Sequence, residues 1–157
     1  MKYTAILFTA ILILGCSTNG SLEITDDFSH IENPKERWEA YGLTDYSIKQ
    51  DIICYCVEPY FWTNFVNEGD VSEVSFSLTE SVSNEEKEKI HQRLINYSAL
   101  TVEEAFSLIE DNEESADYFE VEYHERYGYP TKIKIDYVYE MADDEITYVF
   151  SDLQRIR

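Results

Sequence analysis

Phe119-Glu-Val-Glu-Tyr-His-Glu-Arg-Tyr-Gly-Tyr-Pro-Thr-Lys-Ile-Lys-Ile-Asp-Tyr137 is the stretch whose reading decides the fold. Phe119, Val121 and Tyr123 alternate with Glu120, Glu122 and His124, and Ile133, Ile135 and Tyr137 alternate with Lys132, Lys134 and Asp136. A two-residue period places successive side chains on opposite faces of an extended chain, so each half reads as a half-buried strand. Arg126-Tyr-Gly-Tyr-Pro130 between them supplies the glycine and proline of a turn, and the pair reads as a hairpin. In that hairpin Glu120 and Glu122 face Lys134 and Lys132, a favourable cross-strand pattern.

C-terminal to the hairpin, the acidic turn Asp143-Asp144-Glu145 precedes a strand carrying Ile146, Tyr148 and Phe150. N-terminal to it lie two helix signals. Thr101-Val-Glu-Glu104 is a capping box followed by the helical stripe Val102, Ala105, Phe106 and Ile109. Ser83-Asn-Glu-Glu86 is another, opening a stretch with Ile90 and Leu94 as its apolar pair. Before these come three more strand patterns. Tyr46, Ile48, Ile52, Cys54 and Cys56 share one face, Tyr60 to Val66 is aromatic, and Val74, Phe76 and Leu78 alternate with Ser75, Ser77 and Thr79. Glu58-Pro59 and Asn67-Glu-Gly-Asp70 separate them as breaks. Asn33-Pro-Lys-Glu36 opens a first short helix, with Asn33 as cap, Trp38 and Tyr41 on one face and Gly42 as stop. The order helix, three strands, helices, three strands predicts an α+β fold: an antiparallel sheet of about six strands with helices packed on one face.

The remaining N-terminal residues read as an address. Met1-Lys-Tyr3 is weakly positive, and Ala5 to Leu14 is apolar apart from Thr9. Ten residues cannot span a hydrocarbon core about 30 Å thick, but they fit the core of a signal peptide. Ile13-Leu-Gly-Cys16, followed by polar Ser17-Thr-Asn-Gly20, resembles the bacterial lipobox, which implies cleavage after residue 15 and fatty acyl chains such as palmitate on Cys16. Ser17 is not the Asp that favours inner-membrane retention, so in a Gram-negative cell the outer membrane is expected. The expected organisation is therefore a signal peptide over 1–15, a lipidated N-terminus and flexible tether over 16–32, and one α+β domain over 33–157. Location in the bacterial cell envelope, facing the periplasm or exterior, follows.

Charge bears on partners. The 157 residues carry 12 Lys+Arg against 32 Asp+Glu, net −20. Loss of 1–15 removes only Lys2 and leaves 142 residues at −21. No nucleic-acid partner is expected, because phosphate contacts need clustered cations. An acidic domain is also repelled by anionic headgroups and stands off the membrane to which its acyl chains attach it.

Trp38, Cys54-Tyr-Cys56 with Pro59, Thr101-Val-Glu-Glu-Ala-Phe106, Tyr127-Gly-Tyr-Pro130, Ile135-Asp-Tyr137 and Asp143-Asp-Glu145 together resemble a domain-of-unknown-function family of bacterial lipoproteins and secreted proteins. The resemblance covers roughly 36–153. It implies an envelope location and brings no activity with it. The long acidic, Lys-containing stretch over 83–95 departs from the family pattern.

Three constellations could carry chemistry. With Cys16 acylated, Cys54 and Cys56 are the remaining thiols in an oxidising compartment. A local disulfide, a thiol-exchange site and two buried free thiols stay open as readings. Tyrosine is abundant, 13 in all. Tyr127, Tyr129 and Tyr137 are candidates for a surface that binds a glycan, a peptide or a cation, against the alternative that they fill sheet positions. Asp136, Asp143, Asp144 and Glu145 are weak Ca²⁺ candidates without the spacing of an EF-hand, and no metal is expected. No nucleophile elbow, zinc-helix motif or phosphate-binding glycine loop is present, and no cofactor is expected. The reading is a non-enzymatic binding or accessory domain on an envelope lipoprotein, its partner an envelope protein, peptide or glycan. The alternative is a periplasmic thiol/disulfide protein using Cys54 and Cys56.

Overall fold

A computed structural model describes residues 23–55, 59–78, 82–138 and 144–156. The elements follow the chain as α1 (Pro34–Tyr41), β1 (Tyr46–Ile53), β2 (Phe61–Asn67), β3 (Asp70–Phe76), α2 (Asn84–Tyr97), α3 (Val102–Asn112), β4 (Tyr118–Tyr123), β5 (Pro130–Asp136) and β6 (Ile146–Arg155). The strands form one antiparallel sheet in the order β3-β2-β1-β6-β5-β4. Two three-stranded meanders thus meet where the first strand of one pairs with the last strand of the other.

The helix ends obey their caps. Asn33 Oδ1 accepts from the N–H groups of Lys35 and Glu36, and Gly42 closes α1 at φ +56. Thr101 and Glu104 exchange both bonds of a capping box, at 3.1 and 2.7 Å. The β2–β3 turn carries Glu68 and Gly69 with positive φ at both central positions, the twist that suits a two-residue hairpin. The expected charge ladder is present: Glu120 pairs with Lys134 and Glu122 with Lys132, and Lys132 Nζ lies 3.0 Å from Glu122 and 3.5 Å from Glu120. Lys134 reaches across to Glu145 instead, at 3.3 Å.

One face of the sheet carries the core. Tyr46, Ile48, Val66, Ile133, Ile135 and Phe150 are buried against Trp38 of α1 and Val102, Ala105, Phe106 and Ile109 of α3. A second cluster joins Ile52, Trp62 and Val74 to Leu94 of α2 and Ala99. Between the two sits a polar rivet. Gln50 and Asn64 are fully buried, and Asn64 Nδ2 donates to Gln50 Oε1 at 2.8 Å. Gln50 also bonds the carbonyl of Ser98 and the N–H of Leu100, and Asn64 the carbonyl of Leu100. The α2–α3 linker is pinned to the sheet by side-chain amides rather than by apolar packing alone.

Two boundaries differ from the sequence reading. β1 ends at Ile53, so Cys54 lies in the bend beyond the strand and Leu78 lies past β3. The domain also begins earlier than Asn33. Ile24 is 7% exposed in the core, and Arg126 donates to the carbonyls of Ile24 and Asp26 at 3.0 and 3.2 Å. Phe28 packs edge-on against Tyr41 at 4.9 Å, and Arg37 holds the carbonyl of Ile31 at 2.7 Å. The segment expected to be a tether is docked from Ile24 onward, because Ile24 and Phe28 supply apolar anchors to an otherwise polar run. Residues 1–22, with the expected signal peptide and Cys16, lie outside the described residues.

Candidate functional site

In the antiparallel sheet, β1 and β5 end where β6 begins. That pole and the end of α2 enclose a cleft of about 550 Å³. Ile52, Leu100, Leu108, Ile146 and Tyr148 form its apolar lining, Tyr55, Tyr97 and Tyr137 its aromatic rim, and Cys54, Ser98, Asp144 and Glu145 its polar groups. All of the large hydrophobic side chains exposed among the described residues, Ile156 excepted, belong to this pole: Ile53, Tyr55, Tyr60, Phe61, Tyr97, Tyr118, Tyr137 and Val138. Tyr55 is 89% exposed and Tyr97 84%, values that a sheet tyrosine serving only as core filler does not show. Burial, aided by Tyr137 nearby, raises the Tyr148 hydroxyl above the usual tyrosine pKa, so it is neutral at pH 7.

Asp144 has both carboxylate oxygens shielded from solvent without a hydrogen-bond donor. Glu145 is engaged by Lys134, and among the described residues no lysine or arginine lines the cleft. Cys54 is disulfide-bonded and half-buried at the margin. Cys56 lies outside the described residues, as does Asp143.

The candidate tyrosines do not come together. Tyr137 belongs to the cleft, whereas Tyr127 and Tyr129 sit in the β4–β5 turn at the opposite end of β5. Tyr129 is 4% exposed and packs edge-on against Trp38 at 6.2 Å; burial, with Asp152 adding to it, pushes its pKa up to about 12. It is core, because the turn folds it back under α1. His124 packs against the rings of both Tyr127 and Tyr129, at 4.8 and 4.9 Å, and its Nδ1 accepts from the N–H groups of Arg126 and Tyr127, both at 3.2 Å. Burial, supplemented by Arg126 and opposed by Glu125, lowers its pKa. This pole is a structural clamp for the docked N-terminal segment.

Of the Ca²⁺ candidates, Asp144 and Glu145 both line the cleft, whereas Asp143 lies outside the described residues. Asp136 follows Ile135 and so lies on the face opposite that core residue, and Glu145 is taken by Lys134. Among the described residues no three His, Cys, Asp or Glu side chains gather as a metal site. Tyr55 and Tyr97 were not singled out from the sequence. Tyr97 ends α2, whose three Glu are balanced by two Lys and an Arg, and sits between the polar Asn96 and Ser98; that isolation from apolar residues was the one available signal.

The fold and cleft define a class: a six-stranded α+β domain covered on one face, with an aromatic, acidic cleft at one pole and a docked N-terminal segment at the other. The chain belongs to a family described as of unknown function, DUF6174, which matches residues 30–155. No curated protein and no solved structure matches the chain.

Proposed function

We propose that the chain is a bacterial cell-envelope lipoprotein whose DUF6174 domain is a non-enzymatic binding module, held by acylated Cys16 and presenting its cleft outward. One observation carries this reading: the N-terminal segment joins the domain at the β4–β5 pole, and the cleft opens at the other. Ile24 stands eight positions after Cys16, a reach of at most about 28 Å even when fully extended. A ten-residue strand such as β6 spans about 33 Å, so a tether fixed at one pole keeps the other away from the bilayer. The domain's acid repels anionic headgroups in the same direction. The cleft itself suits binding: it falls within the 300–1,000 Å³ typical of small-ligand sites, and none of the described histidines lines it.

Growth with an alkyne fatty acid tests the anchor. Wild-type protein takes up the label and fractionates with membranes, and Cys16→Ser protein does neither. Wild-type protein that stays unlabelled and soluble refutes the reading.

The disulfide at Cys54 favours a second reading, thiol exchange with Cys56 as the expected partner. Against it, the cleft's charged groups are carboxylates, the opposite of the electropositive setting that activates a thiolate. Thiol titration in glutathione buffers decides: a bridge that cycles across the envelope's redox range would establish exchange, and an inert one leaves it a structural clip.

A further inference from the structure

We propose that the cleft binds an organic cation, an ammonium group seated between tyrosine rings and neutralised by Asp144. The inference rests on the binding role proposed above and names its ligand class. Three features of the cleft converge on it.

The first is the rim. Tyr55, Tyr97 and Tyr137 line the opening, and among the described residues no ring-to-ring contact joins them. Their faces are not consumed by one another, and a tyrosine face carries the negative end of the ring quadrupole, which attracts cations. The second is Asp144, whose two oxygens are withdrawn from water and lack a donor. A shielded carboxylate is costly until a positive group reaches it, and an ammonium donates the charge-assisted hydrogen bonds it lacks. The third is the absence of competition. Lys134, the lysine that reaches the cleft's Glu145, is committed to it at 3.3 Å and to the face of Tyr118 at 5.4 Å, and among the described residues no lysine or arginine pairs with Asp144. A neutral sugar could stack on the rings but would leave the carboxylate uncompensated.

The test is an NMR titration of the full chain with labelled tyrosine rings, in 150 mM salt so that diffuse attraction to the net charge of −20 is screened. The probes are tetramethylammonium, spermidine, a tri-lysine peptide and, as a neutral comparator, maltose. Saturable shifts confined to Tyr55, Tyr97, Tyr137 and Tyr148 are expected with spermidine and tri-lysine, and weaker ones with tetramethylammonium, which has no N–H to donate to Asp144. Tighter binding of spermidine marks a free polyamine as the source of the group, and tighter binding of tri-lysine marks a basic peptide.

Asp144→Asn is expected to weaken binding about tenfold or more. Tyr97→Ala, at a position 84% exposed and therefore safe for folding, should weaken it several-fold. Asp27→Asn at the opposite pole should leave it unchanged. Equal weakening by Asp27→Asn and Asp144→Asn would mean non-specific charge attraction and overturn the proposal. So would shifts with maltose but not with the cations, although the cleft would then remain a binding site. Silence with every probe also overturns it. Anchoring is read from the fatty-acid label, so the two proposals fail separately.

Discussion

Gln50 is the residue whose replacement most directly tests how the cleft is held in shape. Its side chain is fully buried and makes three hydrogen bonds: to the carbonyl of Ser98 at 3.0 Å, from the N–H of Leu100 at 3.0 Å and from Asn64 Nδ2 at 2.8 Å. Gln50→Met keeps the volume and the apolar stem but removes both functions of the amide. Asn64 Nδ2 retains the carbonyl of Leu100 at 2.9 Å, so the groups left without this partner are the Leu100 N–H and the Ser98 carbonyl. Orphaning a partly buried backbone group costs about 1–2 kcal/mol, giving about 2–4 kcal/mol for the substitution. That is a large share of the roughly 5–15 kcal/mol that stabilises a domain.

Urea unfolding followed by tryptophan fluorescence measures the loss, since Trp62 packs with Ala99 in the cluster beside the linker. Because Asn64 and Gln50 share a bond, Asn64→Ala combined with Gln50→Met should cost less than the sum of the single changes, by about 1 kcal/mol. Tyr97, Ser98 and Leu100 line the cleft, so the same substitution should shift the Tyr97 ring resonances. A Gln50→Met protein within about 0.5 kcal/mol of wild type, with Tyr97 unmoved, would refute the argument that the amide pair fixes the linker.

Gly128 and Gly69 both have positive φ, +82° and +90°, but a Cβ on Gly128 would sit 2.2 Å from the Pro34 carbonyl oxygen while one on Gly69 meets open space. Alanine should therefore cost about 1–2 kcal/mol at Gly69 from backbone strain and at least about 1 kcal/mol more at Gly128; equal losses in thermal melts would contradict the packing of α1 on the β4–β5 turn. His124 has a lowered native pKa, so the unfolded chain takes up its proton first as pH falls. Its contribution is fully present above the unfolded value near 6.5 and declines as pH drops from there toward the lower native value, as two backbone N–H groups lose their acceptor. The midpoint of unfolding should fall between pH 7 and 5.5, and His124→Asn should flatten that slope; an unchanged slope in the variant assigns the pH dependence to other groups.

The local architecture was legible because its causes are local. Asn33, Ser83 and Thr101 each carry a side-chain acceptor that bonds the first turn of the following helix, and that preference is written within three residues. The β4–β5 hairpin was readable to the level of Glu120 opposite Lys134, because a turn of defined length sets the register on both sides. The candidate site was less legible. Tyr137 was found, but Tyr55 and Tyr97 come from a bend and a helix end that only the fold brings beside it. Gln50 was left off the face shared by Tyr46, Ile48 and Ile52, since alternation looks for apolar residues and a buried amide interrupts it. Its partners, Asn64 and the α2–α3 linker, lie 14 and about 50 residues away.

By itself, then, the sequence determined the fold class, the caps, the hairpins and the acid-rich surface, all of which depend on neighbours in the chain. Tertiary structure decided that β1 pairs with β6, which closes two meanders into one sheet across about 100 residues. It decided that Ile24 to Glu32 dock, that Tyr129 is core, and that the cleft and the N-terminal entry occupy opposite poles. Those outcomes follow from which apolar surfaces find one another at long range, and hydrophobic burial carries no direction that a pattern in one strand could record.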